Sequence, residues 1–429
     1  MNNNLEKMID YFRQGETKKQ RIGTEFEHLI VRKDNLATIA FEENGIEDIL
    51  LGLSEKGWSK VKEGEHLIGL KNNKAEITVE PGGQFEVSIY PCEKISEIKE
   101  VYASFLADLK PLLAKKNYYL LTLGYQPESK ISEINWNPKK RYKIMSNYLE
   151  KRGDCSHNMM KGTASLQITF DYKDQADFKK KITIFNALSP LLAIISDNSP
   201  FFEGEIFKNN ALRTYIWDET DPIRTGIIEE TLTTDFGYQD YAEFILNSAP
   251  ILIKRNGEYI ATNEKKVKEI YQDKPLSKKE LEHILTMVFP DVRVKKFIEI
   301  RMMDSVPPNF SFALLTLLKG LIYNQQNLDK LFNWTNQLSA EEIVDLRKEI
   351  LLEGFSATLQ GKSILEIAKE LLVWSKSGLN SEEEEFLKPL ENNLNLALNP
   401  ALKIKKEFSK SKDKKEALKE SILNSWKGD

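Results

Sequence analysis

Residues 76–90 read EITVEPGGQFEVSIY, and no other stretch limits the fold so much. Apolar and polar residues alternate on both sides of a Pro-Gly-Gly break, the pattern of two strands joined by a tight turn. Side chains two apart on a strand share a face. Gln84, Glu86 and Ser88 therefore line one face, with Phe85, Val87 and Ile89 behind them. Pro81 fixes one φ angle and the two glycines permit positive φ, so the chain turns sharply between Glu80 and Glu86.

The same division recurs along the chain. RIGTEFEHLIV (21–31) sets Glu25 and Glu27 on one face, against Phe26. TASLQITFDY (163–172) aligns Thr163, Ser165, Gln167 and Thr169; VRVKKFIEIRMM (292–303) aligns Glu299 with Arg301. YYLLTLGY (118–125) and LRTYIW (212–217) also read as strands, the latter with Arg213, Tyr215 and Trp217 on one face. Helical spacing marks 4–13, 93–115, 174–197 and 311–324, and almost everything after residue 325. Strands early and helices late, without regular βαβ alternation, predict an α+β fold. The expected organisation is one catalytic unit over 1–429: a sheet-containing core at 15–325 and a helical C-terminal layer at 326–429.

Exposed strand faces usually mix Lys, Ser, Thr and Glu, whereas these faces repeat Glu and Gln beside tight turns. Carboxylates converging on one concave face resist ionisation unless cations neutralise them. Hard oxygen donors suit Mg²⁺, which bridges protein carboxylates and nucleotide phosphates. No Walker lysine loop or GxGxxG fingerprint is present, so a bound nucleotide would be held through metals and strand side chains. Arg213 offers a planar fork for a carboxylate, and an aromatic beside it can pack a substrate's aliphatic stem. Arg141 and Tyr142 invite the same reading or a surface ion pair. The four histidines form no catalytic spacing; His28 alternates away from Glu25 and Glu27, as a core or supporting residue would.

Composition excludes several classes. With 61 basic and 65 acidic residues the net charge is -4, lacking the basic excess of a nucleic-acid binder. No run approaches the ~20 apolar residues that span a bilayer, and the first residues lack the apolar core of a secretory leader. Two cysteines, Cys92 and Cys155, make no disulfide framework and no zinc spacing. A cytoplasmic protein with reduced thiols is expected, acting on small molecules rather than at a membrane or on nucleic acid.

Taken in order, Ile22-Gly23-Thr24-Glu25-Phe26-Glu27, ITVEPGGQFEVS (77–88), RYKIM (141–145), Met159-Met160, TASLQITFDY, NSPFFEG (198–204), LRTYIWDETDPIRTG (212–226) and FPDVRVKKFIEIR (289–301) resemble glutamate–cysteine ligases of the plant and proteobacterial type. The resemblance spans roughly residues 20–375. It implies a glutamine-synthetase-like fold, a curved and mainly antiparallel sheet forming a funnel flanked by helices. It also implies ATP with Mg²⁺, or Mn²⁺, and the substrates glutamate and cysteine. The γ-carboxylate of glutamate would attack ATP, and the cysteine amine would displace phosphate, the first step of glutathione biosynthesis. Residue by residue, Glu25, Glu27, Glu80, Glu86 and Glu299 match metal-binding acids, with Gln167 in the same shell. Arg213 matches an arginine that holds glutamate, with Tyr215 and Trp217 beside it. Arg141, Met145 and Thr163 match pocket-lining positions. Arg301, with Glu299, would act on the transferring phosphate.

Two departures bear on the acceptor pocket. Ile89-Tyr90 stands where the family usually has a small residue, and Met302-Met303-Asp304 where it often reads Gly-Ala-Asp. Other readings remain open from sequence: a glutamate–amine ligase with a different acceptor, an inactive binding or regulatory homologue, or a kinase that stops at phosphoryl transfer to a guanidino group.

Overall fold

The computed structural model describes residues 3–233 and 235–428. A nine-stranded sheet organises it: β1 (Ile22–Arg32), β2 (Ser59–Glu63), β3 (His66–Lys71), β4 (Ala75–Val79), β5 (Phe85–Cys92), β6 (Tyr118–Leu121), β7 (Ser165–Phe170), β8 (Val292–Val294) and β9 (Ile298–Asp304). The order is β8-β9-β7-β1-β5-β4-β3-β2, every neighbour antiparallel, with β6 paired to the far end of β1. The architecture is α+β, as the order of strands and helices predicts, and its large antiparallel sheet flanked by helices is what the resemblance implies.

The apolar face of the sheet is sealed by helices. Phe26 of β1 lies 4.4 Å from the Tyr102 ring of Ile95–Lys116 and 6.2 Å from Phe312 of Pro308–Ile322. Pro308–Ile322 is apolar almost all round because further helices, including Ile364–Ser377, cover its other sides. His28 is part of this layer: one ring nitrogen meets Phe85 O at 3.0 Å, the other Tyr102 Oη at 2.6 Å. It belongs to the core, as its alternation indicated.

Three elements differ from the sequence reading. LRTYIW is the helix Leu212–Asp218, not a strand. Its β-branched and aromatic residues favour a strand locally, but Leu212 and Ile216, four apart, are both fully buried and pack a helical stripe. Residues 292–303 form a hairpin rather than one strand, turning at Lys295–Phe297, where Lys295 N donates to Phe297 O at 2.9 Å. The helix expected over 174–197 is two, Gln175–Ala187 and Ser189–Ile195, divided where Pro190 opens the second. The periodicity also passed over β2 and β3; β2, SKVKE, is the charged edge strand of the sheet.

After residue 325 the chain is helical apart from a two-residue hairpin at Thr358–Ser363. Its last stretch returns to the sheet: Ile422 bridges Leu121, and Asn424 accepts from Leu120 N and donates to Tyr118 O. No helix among the described residues is long and apolar enough to cross a membrane. Both cysteines are free thiols.

Candidate active site

Strand register brings the acids together. Glu27 pairs with Glu86 across β1 and β5, and Glu86 with Thr78 across β5 and β4. One row along, Glu25 pairs with Ser88 on one side and Gln167 on the other. On β9, Glu299 pairs with Thr169 of β7 and with Arg293 of β8. Between Ile300 and Met303 the β9–β7 register slips, so Arg301 sits in a bulge. A bulge re-aims a side chain, and here Arg301 reaches Gln167, donating from Nη1 to Oε1. Gln167 Nε2 in turn donates to Glu27 Oε1 at 3.1 Å.

The β4–β5 turn supplies Glu80. Gln84 fixes that turn: its Oε1 accepts from Gly82 N at 2.8 Å, and its Nε2 donates to Thr163 O and Met160 O at 2.8 and 3.0 Å. Gly83 takes φ +87°, which glycine adopts without penalty. A Cβ on Gly82 would lie 2.2 Å from Lys161 O, so only glycine lets the turn press against the helix Ser156–Gly162.

These strands floor a cavity of about 240 Å³, which Glu25, Glu27, Glu80, Glu86 and Gln167 enter from below. Helices close it from above. Lys140–Leu149 brings Arg141, Tyr142 and Met145; Leu212–Asp218 brings Arg213 and Trp217, four residues apart and therefore on one helical face. Thr163 lines the cavity from the end of the helix Ser156–Gly162, just before β7, and Met159, Met160 and Met287 add apolar wall. Of the residues singled out in the sequence, Tyr215 and Glu299 fall outside this lining. Tyr215 is 37% exposed and faces Phe207 instead, since the helix turns it away from Arg213 and Trp217. Glu299 is fully buried beneath the wall, held by Arg293 Nε at 2.5 Å and by Lys295 Nζ and Arg301 Nη1 at 3.5 Å each.

Charge divides the site. Burial, then the neighbouring Glu86 and Glu299, pushes Glu25 up to about 8. Burial with Glu80 pushes Glu27 and Glu86 each up to about 7, despite hydrogen bonds from Ser165 N to Glu27 and from Thr78 and Ser88 to Glu86. Glu299 behaves oppositely. Its burial alone would raise it, but Arg293, Lys295 and Arg301 hold it well below the usual carboxylate range. Among the described residues no three His, Cys, Asp or Glu side chains converge closely enough to hold an ion by themselves; of the floor acids, Glu27 and Glu86 are the register pair.

Three buried donors on the roof lack a hydrogen-bond partner among the described residues: Arg141 Nε, Arg213 Nε and Trp217 Nε1. The Arg213 guanidinium lies 5.5 Å from the Trp217 ring centre. Buried donors are almost always paired, and these three stand unpaired above one cavity. The sequence reading had missed Arg293 and Lys295. In VRVKK they look like the polar side of an exposed strand, and only the hairpin sets Arg293 opposite Glu299.

Comparison with known proteins agrees with this architecture. Residues 21–418 match the family model described as glutamate-cysteine ligase family 2. A chloroplastic glutamate–cysteine ligase A of Oryza sativa subsp. japonica is 32% identical over 392 residues, 89% of this chain and 79% of that protein. The chloroplastic glutamate–cysteine ligase of Medicago truncatula is 31% identical over 407 residues, 92% of this chain and 80% of that protein. In fold, the crystal structure of a Francisella tularensis glutamate–cysteine ligase in complex with AMP aligns at a TM-score of 0.58 and 12% identity, covering 96% of this chain and 89% of that one.

Proposed function

The chain belongs to glutamate-cysteine ligase family 2, and from that premise we propose that it joins the γ-carboxyl of glutamate to the amine of cysteine at the expense of ATP, opening glutathione synthesis. One observation carries the reading: a floor of acids converging from neighbouring strands lies beneath a roof in which Arg141, Arg213 and Trp217 each leave one buried N–H unpaired. Such a site takes an amino-acid carboxylate from above and cation-bound phosphates from below.

The acids fit Mg²⁺. Their donors are all hard carboxylate oxygens, burial and mutual repulsion raise three of them, and no three of them close into a cage. Mg²⁺ is commonly held by one or two carboxylates, with water and substrate phosphate completing the shell. Glu25, Glu27, Glu80 and Glu86 would hold it, with Gln167 beside them and Glu299 adjoining Glu25; when bound, it would neutralise phosphate charge as a Lewis acid.

The chain's own groups do the rest by positioning. Arg213 and Trp217 would take the α-carboxylate and aliphatic stem of glutamate, while Arg141, Met145 and Thr163 bound the pocket. A glutamate γ-carboxylate oxygen attacks the γ-phosphorus, the bond to the β-phosphate oxygen breaks, and ADP leaves. Arg301, anchored on Gln167, offers fixed positive charge to the transferring group, the arrangement that lowers such barriers most. The cysteine nitrogen then attacks the acyl carbon, the carbon–oxygen bond to phosphate breaks, and the nitrogen sheds a proton. No protein nucleophile is required.

The test is ADP release by the purified protein with ATP, Mg²⁺ and glutamate, with and without cysteine, and the product identified by mass. Cysteine-dependent release with γ-glutamylcysteine formed is the expected result. Turnover only with another amine would replace the acceptor, and silence with every amine would overturn the enzymatic reading.

A further inference from the structure

The helix that carries Arg213 and Trp217, Leu212–Asp218, has seven residues, and so short a helix does not hold itself in water. One element of the C-terminal layer holds it at both ends. Just before its start, Asn210 N donates to Leu351 O at 2.9 Å. At its last residue, Asp218 Oδ1 accepts from Arg347 Nε at 2.8 Å. Leu351 and Arg347 are four residues apart on the helix Ala340–Glu353, so they meet the short helix from one face. Arg347 itself stands among the buried Ile343, Leu346 and Ile350, a charged residue on an apolar stripe.

Arg347 has a second partner, Asp291, whose Oδ2 accepts from Nη1 at 2.5 Å. Asp291 is as buried as Arg347 and also accepts from Ser189 Oγ. The charges facing Arg213 are Asp304, Glu27 and Asp291, with Arg347 the opposing cation. Asp218 faces Asp291 and Glu219 as like charges, and Arg347 is the cation between them. Without Arg347, Asp218 and Asp291 would repel each other, and Asp291 would be left as a buried carboxylate free to turn to the Arg213 guanidinium. The backbone of Asp291 is held separately: its N–H donates to Gly226 O at 2.8 Å, and its O accepts from Arg301 N at 2.9 Å. Loss of Arg347 would therefore release the short helix and one carboxylate while Arg301 keeps its anchor.

We propose that Arg347 is a positioning residue for glutamate: its grip on Asp218 sets the helix that presents Arg213 and Trp217, and its hold on Asp291 keeps that carboxylate from competing for Arg213. This rests on the ligase reading above. The C-terminal layer thereby shapes the substrate site, although among the described residues none after Arg301 lines the cavity.

Steady-state ADP release by the whole protein tests this with Arg347→Gln, Arg347→Lys, Asp218→Asn and the double variant Arg347→Gln/Asp218→Asn, with melting curves alongside. Arg347→Gln is expected to raise the KM for glutamate about 10-fold to 100-fold, the scale of a misplaced binding group, with the KM for ATP within about 2-fold of wild type. Arg347→Lys, which keeps the charge, should recover part of the loss. Asp218→Asn should raise the glutamate KM in the same sense but less, and should add almost nothing to Arg347→Gln, because both changes break one contact. Parallel rises for glutamate and ATP would overturn the proposal, as would a full additional loss in the double variant. Asp218 is one-third exposed, so its variant folds even if Arg347→Gln does not; an unchanged glutamate KM in Asp218→Asn would overturn the proposal by itself. Absence of glutamate-dependent ADP release in wild type would overturn the ligase reading, and this role with it.

Discussion

Glu27 and Glu86 face each other across the β1–β5 pair, both more than nine-tenths buried and both pushed up to about 7. Two like charges in register on neighbouring strands destabilise a sheet, so this pair costs stability that a cation over it would restore.

Glu86→Gln removes the repulsion while keeping the shape. The metal-free variant should melt a few degrees above wild type, whereas MgCl₂ should stabilise wild type by binding the folded state and should shift the variant less. Turnover should fall more than ~100-fold, beyond the loss typical of groups that merely support a metal ligand. Melting curves with and without Mg²⁺, beside ADP release, check both; near-normal turnover with unchanged Mg²⁺ dependence would refute the metal assignment.

Arg213→Lys keeps a positive charge but loses the fork and the orphaned Nε. Its KM for glutamate should rise about 10-fold to 100-fold, the worth of a charge-assisted hydrogen bond, with the KM for ATP nearly unchanged. A rise confined to ATP would place the residue beside the nucleotide instead.

Gly82→Ala puts a methyl group against Lys161 O. Neither backbone can yield without moving the turn that carries Glu80, so activity should drop ~10-fold or more with little change in the apolar core. Steady-state kinetics beside near-ultraviolet circular dichroism would show whether the site moved and the core did not.

Asp304 provides a pH signature apart from the acids of the cavity floor. Burial, then the neighbouring Asp197, pushes it up to about 7, although Asn198 N and Ser199 Oγ donate to it at 2.8 and 2.6 Å. An acid raised on folding binds its proton more tightly in the native state, so its contribution is fully present near pH 4 and is lost as pH rises toward 7. Asp304→Asn should therefore gain stability relative to wild type progressively from pH 4 to 7, by on the order of a few kcal/mol, and level off above. Urea midpoints across that range read the difference; a constant offset would contradict it.

What the sequence revealed was what a strand period carries. Glu25, Glu27, Glu86 and Gln167 were legible because a two-residue alternation assigns each side chain a face before any pairing is known. Register was not legible, and register makes Glu27 and Glu86 partners. Leu212–Asp218 was misread because its β-branched and aromatic residues suit a strand, while the tertiary burial of Leu212 and Ile216 selects a helix. Arg213 and Trp217 survived the error, since residues four apart share a helical face and residues two apart a strand face; Tyr215 did not. Arg293 stayed hidden because no Gly or Pro announces the turn at Lys295–Phe297.

The central claim is that this acid floor, with Arg213 and Arg301 lining the same cavity, brings a glutamate carboxylate to the γ-phosphate of ATP. Turnover of glutamate carrying ¹⁸O in its γ-carboxylate, followed by mass analysis of the released phosphate, tests it most directly. The account predicts one carboxylate oxygen transferred to each phosphate, because that oxygen bridges carbon and phosphorus in the intermediate. Product formed with unlabelled phosphate would contradict it.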